Sequence, residues 1–140
     1  MACNNEPSMK RIDTMEKQVS KIEKKYQETE TAFNELVEDC IEFDEKLRNE
    51  NNPRPEMQLL RAYLQQYEDE RIPMKEEIDY SKSQLSDLKD DFKNGLYDET
   101  QREEYLASEE KAVKTLNAKL DYFLDRFEKQ SEFIKSFEKQ

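Results

Sequence analysis

Apolar residues recur at steps of three and four along nearly the whole chain, in three blocks. The first runs Ile12, Met15, Val19, Ile22, Tyr26, Phe33, Leu36, Cys40, Phe43 and Leu47, with Thr29 the polar member of the series. The second runs Met57, Leu60, Leu64, Tyr67, Met74, Ile78, Leu85, Leu88 and Phe92, with Arg71 and Ser81 filling its polar steps. The third runs Leu106, Val113, Leu116, Leu120, Phe123, Phe127, Ile134 and Phe137, interrupted by Glu109 and Gln130. A 3-4 alternation is the seam of a helix that packs on neighbouring helices. Val37 and Ile41 predict a wider stripe on the first helix, and hence more than one neighbour.

The breaks between blocks carry helix-stop chemistry. In Asn51-Asn52-Pro53-Arg54-Pro55 the residues before each proline are pushed out of helical geometry, and Pro55 suits the first position of a new helix. Asn94-Gly95 ends the second block, because glycine tolerates the left-handed conformation just past a helix. Asp98 with Gln101 three residues later is a capping-box pattern. The spacing predicts helices over 8–50, 55–94 and 98–139, with 1–7 a flexible lead. Pro73 falls inside the second helix, where it loses one hydrogen bond; since the seam keeps its register on both sides, a kink is expected there.

Three helices of about 40 residues, each about 60 Å long, joined by short connections must lie antiparallel in sequence order. The expected fold is all-α: an elongated, up-down-up three-helix coiled-coil bundle forming a single domain over 8–140. In outline it resembles spectrin-type repeats and the tubulin-folding cofactor A family. That likeness is one of architecture alone, because the tryptophan of spectrin repeats is absent and no shared motif accompanies it.

Composition agrees with long helices and narrows the function. There is a single glycine, 41% of residues are charged, and the net charge is −11. So polar and acidic a chain would also suit disorder, but the regular seams and the seven tyrosines and seven phenylalanines point to a packed interior. With no histidine, triads, HExxH zinc sites and Glu-x-x-His di-iron sites are excluded. One glycine leaves no phosphate-binding loop or nucleophile elbow. Carboxylate-only sites stay open, although the acids fall mainly on outer helix faces. Nucleic acid and anionic membranes are poor partners for this charge, and no apolar run is long enough to span a bilayer.

The two cysteines are Cys3 and Cys40. About 48 Å of helix separates Ser8 from Cys40, while the lead reaches at most about 18 Å, so the thiols cannot pair within one chain. Cys40 reads as a small buried hydrophobe. Ala2-Cys3 followed by Asn-Asn-Glu-Pro-Ser resembles the start of a mature bacterial lipoprotein, in which the cysteine is lipidated and a polar tether follows. Only Met1-Ala2 stand upstream, without a basic or apolar signal stretch. The resemblance makes Cys3 the candidate lipidation site and implies an envelope location; without it a cytoplasmic chain is expected.

The polar seam residues Arg71, Ser81 and Glu109 are candidates for a layer that fixes register. Reflection about the turns places Arg71 near Asn34, Glu35 and Asp121, and Glu109 near Ser81 and Lys82. Tyr63, Tyr80, Leu96, Tyr97 and Tyr122 lie outside the seams and form the candidate partner surface. The reading is a non-enzymatic structural or protein-interaction module, monomeric, with a protein partner and no cofactor or metal. The alternative is a helical holdase or folding cofactor; a carboxylate enzyme is the third class.

Overall fold

A computed structural model describes residues 5–138. It is 91% helical, with three helices packed against each other and no strand among the described residues: an all-α three-helix bundle. The helices are α1 (Glu6–Asn49), α2 (Glu56–Lys93) and α3 (Glu99–Glu138). α1 begins ahead of the sequence estimate because Pro7 fits its first turn, where no N–H is needed. There Met9 N donates to Asn5 O at 2.8 Å. Cys3 and the rest of residues 1–4 lie outside the described residues.

Local chemistry explains where each helix stops. At the end of α1, Asn51 adopts the left-handed conformation (φ 51°). Asn52 N then bonds to Leu47 O at 2.9 Å and Asn51 N to Arg48 O at 3.1 Å, a Schellman closure of the last turn. Gly95 (φ 67°) does the same for α2, with Leu96 N on Asp91 O and Gly95 N on Phe92 O. α3 starts with a reciprocal capping box: Gln101 N donates to Asp98 Oδ1 at 2.8 Å, and Asp98 N to Gln101 Oε1 at 3.1 Å. Nothing lies within 4 Å of a Cβ built on Gly95. Gly95→Ala should therefore cost about 1–2 kcal/mol from backbone strain alone, read as a drop in the urea midpoint.

α2 is not divided at Pro73; one helix runs through it from Glu56 to Lys93. The chain divides into two compact units, and within α2 the division falls between Pro73 and Met74. Unit 1 combines the described part of α1 up to Lys24 with Met74–Lys119. Unit 2 combines Lys25–Pro73 with residues from Leu120 onward.

In unit 1 the antiparallel α1–α2 contact is laced by Lys89 with Asp13 and Glu16, and by Lys82 with Glu23. Arg11 binds Glu103 and Glu110 of α3, which holds the Glu103 carboxyl below its ordinary range. Such exposed pairs contribute little stability. The interior of this unit, with Ile12, Leu85, Phe92 and Leu106 fully covered, is worth about 1.5–3 kcal/mol per large apolar side chain.

Unit 2 is centred on aromatic rings. Tyr67 is fully buried, with Phe33 at 4.9 Å, Phe123 at 5.1 Å and Phe127 at 5.2 Å between ring centroids. Phe43 meets Phe137 at 5.8 Å. Leu120 and Phe127 are among the most covered residues of α3.

Every seam position of α1 is buried, including Thr29, whose hydroxyl donates back to Lys25 O at 2.7 Å. Ile41 departs from the expected widened stripe: it is 61% exposed. Two neighbouring helices cover the seam and half-cover Val37, but their contact does not extend to Ile41.

Candidate functional site

In unit 2 the Glu30 carboxylate gathers three polar partners. Tyr67 Oη donates to its Oε2 at 3.0 Å, and Arg71 Nη2 lies 2.9 Å from the same oxygen. Tyr26 Oη sits 3.0 Å from Oε1 and 3.1 Å from the Arg71 carbonyl, with one proton to share between them. Burial and the carboxylate push Tyr26 up to about 12 and raise Tyr67 further. Both phenols therefore stay protonated and act as donors. Arg71 also contacts Glu68 at 3.2 Å and lies over the rings of Phe33 and Tyr67.

The sequence placed Arg71 near Asn34, Glu35 and Asp121, and the structure adds its ion partners. They are Glu30 of α1, one turn before Asn34, and Glu68 of its own helix, while Asp121 pairs with Lys25 at 2.6 Å. The guanidinium turns toward Glu30 because a carboxylate and two ring faces together satisfy its charge and its flat surface.

Ser81 and Glu109, the other two candidates for the register layer, belong to unit 1. Ser81 is 4% exposed and Glu109 is 7% exposed. Oε2 of Glu109 is buried without a hydrogen-bond partner, and burial raises its carboxyl above the ordinary range. Lys82, expected near Glu109, pairs with Glu23. Arg102 is a buried cation that the sequence did not mark: 7% exposed, it donates to Tyr97 O at 2.8 Å across the α2–α3 connection. Its place four residues before Leu106 was the available signal.

The expected partner surface is split between the units. In unit 2, Tyr63 and Tyr122 both lie against Arg126, whose Cζ is 5.3 and 5.4 Å from their ring centroids. In unit 1, Tyr97 packs on Phe92 and Tyr105. Of the five, Tyr80 (65%) and Leu96 (61%) remain the most exposed.

A different feature of unit 2 has the form of a docking site. α1 and α3 run parallel, as the successive contacts Lys25–Asp121, Phe33–Phe127 and Phe43–Phe137 show. Between them lies a groove of about 570 Å³. Its floor is Leu36 and Phe127, with Ala32 and Leu124 half-buried above them. Glu35 and Asp39 of α1 and Glu128 and Glu132 of α3 line its two sides, with Lys135 at one end. Among the described residues, no ion pair engages any of these four carboxylates, whereas the α1–α2 contact of the same unit is bridged by Arg61–Asp44 and Arg71–Glu30.

No protein-family model, curated protein or solved structure matches the chain. Among the described residues, no three His, Cys, Asp or Glu side chains are placed to hold a metal ion, and no helix is long and apolar enough to cross a membrane. Cys40 is a free, buried thiol raised mainly by burial.

Proposed function

We propose that the chain is a non-enzymatic protein-interaction module, and that unit 2 docks a basic amphipathic helix of a partner protein in the α1–α3 groove. The observation that carries this reading is an apolar floor lined on both sides by carboxylates that make no ion pair among the described residues. Like charges across a helix contact are unfavourable. A partner helix with an apolar stripe flanked by Lys and Arg relieves that repulsion while covering Ala32 and Leu124. This is helix-in-groove recognition, read by anchors at i, i+3, i+4 and i+7. The charges supply specificity and encounter rate, and the apolar contact supplies the lasting affinity.

The holdase alternative draws less support. It needs a continuous apolar surface, yet Tyr63 and Tyr122 share Arg126, and Tyr97 is engaged by neighbouring rings. Scattered exposed apolar side chains are ordinary surface. Lipidation at Cys3 would add an anchor and leave the docking groove the same work.

The test uses a designed helical peptide with leucines at i, i+3, i+4 and i+7 and lysines on both flanks. Fluorescence anisotropy should show saturable binding that weakens about tenfold or more as salt rises from 50 to 500 mM, as screening of several charge pairs requires. Glu35→Lys with Glu132→Lys should weaken it about tenfold or more at low salt. Equal binding by that variant and the parent protein would end the proposal.

A further inference from the structure

We propose that the pocket at the α1–α2 connection of unit 2 binds a small organic anion through its phosphate or carboxylate group. The cavity has a volume of about 540 Å³, and its polar lining consists mainly of donors: Arg48, Arg54 and Arg61, with the amides of Asn51, Asn52 and Gln58. Asp44 is the sole carboxylate of that lining, and Arg61 already holds it in an ion pair. Among the described residues, two guanidinium groups of this lining thus make no ion pair, in a chain of net charge −11.

The two free arginines are presented differently. Arg48 is exposed and makes no ion pair among the described residues. Arg54 is fixed in place, with its Cζ 4.3 Å from the centroid of the Phe137 ring. Its Nε is buried and has no acceptor. A buried donor without an acceptor costs free energy, and the terminal N–H groups of the same guanidinium can be offered to an oxyanion. Planar guanidinium groups suit this task, since they meet carboxylate and phosphate oxygens in pairs.

The backbone around them is already set. Pro53 and Pro55 each have a locked φ on either side of Arg54, and Asn51 closes α1 in its Schellman turn. The last carbonyls of α1 are thereby engaged, while the positive end of α2 begins at Glu56 beside the pocket. The backbone needs little ordering on binding, which favours affinity. The cavity is larger than a bare oxyanion, and Leu47, Pro53 and Met57 in its wall would pack against the body of the ligand.

The experiment is a nitrogen-15 NMR titration at pH 7 and constant ionic strength, following the arginine Nε signals and the amides of 47–58. The probes are sodium phosphate and sodium acetate, each against chloride. Saturating shifts at Arg48, Arg54 and the connection are expected with at least one probe. Saturation by phosphate alone assigns a phosphate group, by acetate alone a carboxylate, and by both a general oxyanion site. Arg48→Gln should weaken binding several-fold with the fold intact by circular dichroism, and Arg48→Gln with Arg54→Gln should abolish it. The proposal is overturned by non-saturating shifts with both probes, by shifts spread over basic residues elsewhere, or by unchanged binding in Arg48→Gln.

Discussion

Replacing Tyr67 with alanine should lower the unfolding free energy by about 3–5 kcal/mol, the range for deleting a large ring from a core. Tyr67 has no exposed surface, and Phe33, Phe123 and Phe127 surround it from α1 and α3. A cavity there has rings on several sides that cannot all collapse into it. The companion change Tyr67→Phe keeps the ring and removes one donor to Glu30. Tyr26 and Arg71 still serve that carboxylate, so the cost should be about 1 kcal/mol. Urea denaturation of the three proteins gives both numbers. An alanine loss below about 1 kcal/mol would mean that these rings are not the core of unit 2.

The second large effect has the opposite sign. Glu109 occupies a seam position in unit 1, and its buried Oε2 lacks a partner. Glu109→Leu should stabilise the chain by about 1–3 kcal/mol at pH 7, the usual penalty of a buried polar group left unmade. The pH dependence follows from the raised carboxyl. Folded protein binds this proton more tightly than unfolded protein does. The Glu109 contribution is therefore most favourable below the ordinary carboxylate range, and it is lost as pH rises through the raised value. The gain in Glu109→Leu should accordingly shrink toward pH 4. Glu109→Gln should gain less than leucine at pH 7, since it removes the charge but leaves a polar group unpaired. Thermal melts at pH 4 and pH 7 decide this, and a gain that grows toward pH 4 would reverse the assignment.

Helices and core were legible because burial imposes a period. A residue such as Leu85 or Phe127 has to recur on one face, and nothing nearby competes with that signal. Helix ends were legible for a related reason: Gly95, Asp98 and Gln101 each satisfy a specific orphaned backbone group. Side-chain partners were not legible in the same way. Arg71 has a reach of a full helical turn, so register alone placed it beside Asn34 and Glu35 and did not single out Glu30 with its two phenols as the ion partner. Arg102 escaped notice because a buried arginine reads as an exposed one until its carbonyl partner is known. The groove carboxylates could have been found by setting the flanks of α1 and α3 side by side in parallel. Glu35 and Asp39 then face Glu128 and Glu132, a mismatch invisible in either helix read alone. The Arg48 and Arg54 pocket depends on how a proline-rich connection folds back on Phe137, which no period encodes.

The most direct measurement of the docking claim is a charge exchange across the groove. The protein carries Glu35→Lys and Glu132→Lys, and the designed peptide carries glutamates in place of its flanking lysines. The two native-charge partners should bind, and each mixed combination should bind about tenfold or more weakly. The doubly exchanged pair should recover most of the affinity, because charges that meet across one interface restore each other. Recovery would place the peptide against these carboxylates. If the exchanged pair binds no better than the mixed ones, the helix does not lie in the α1–α3 groove.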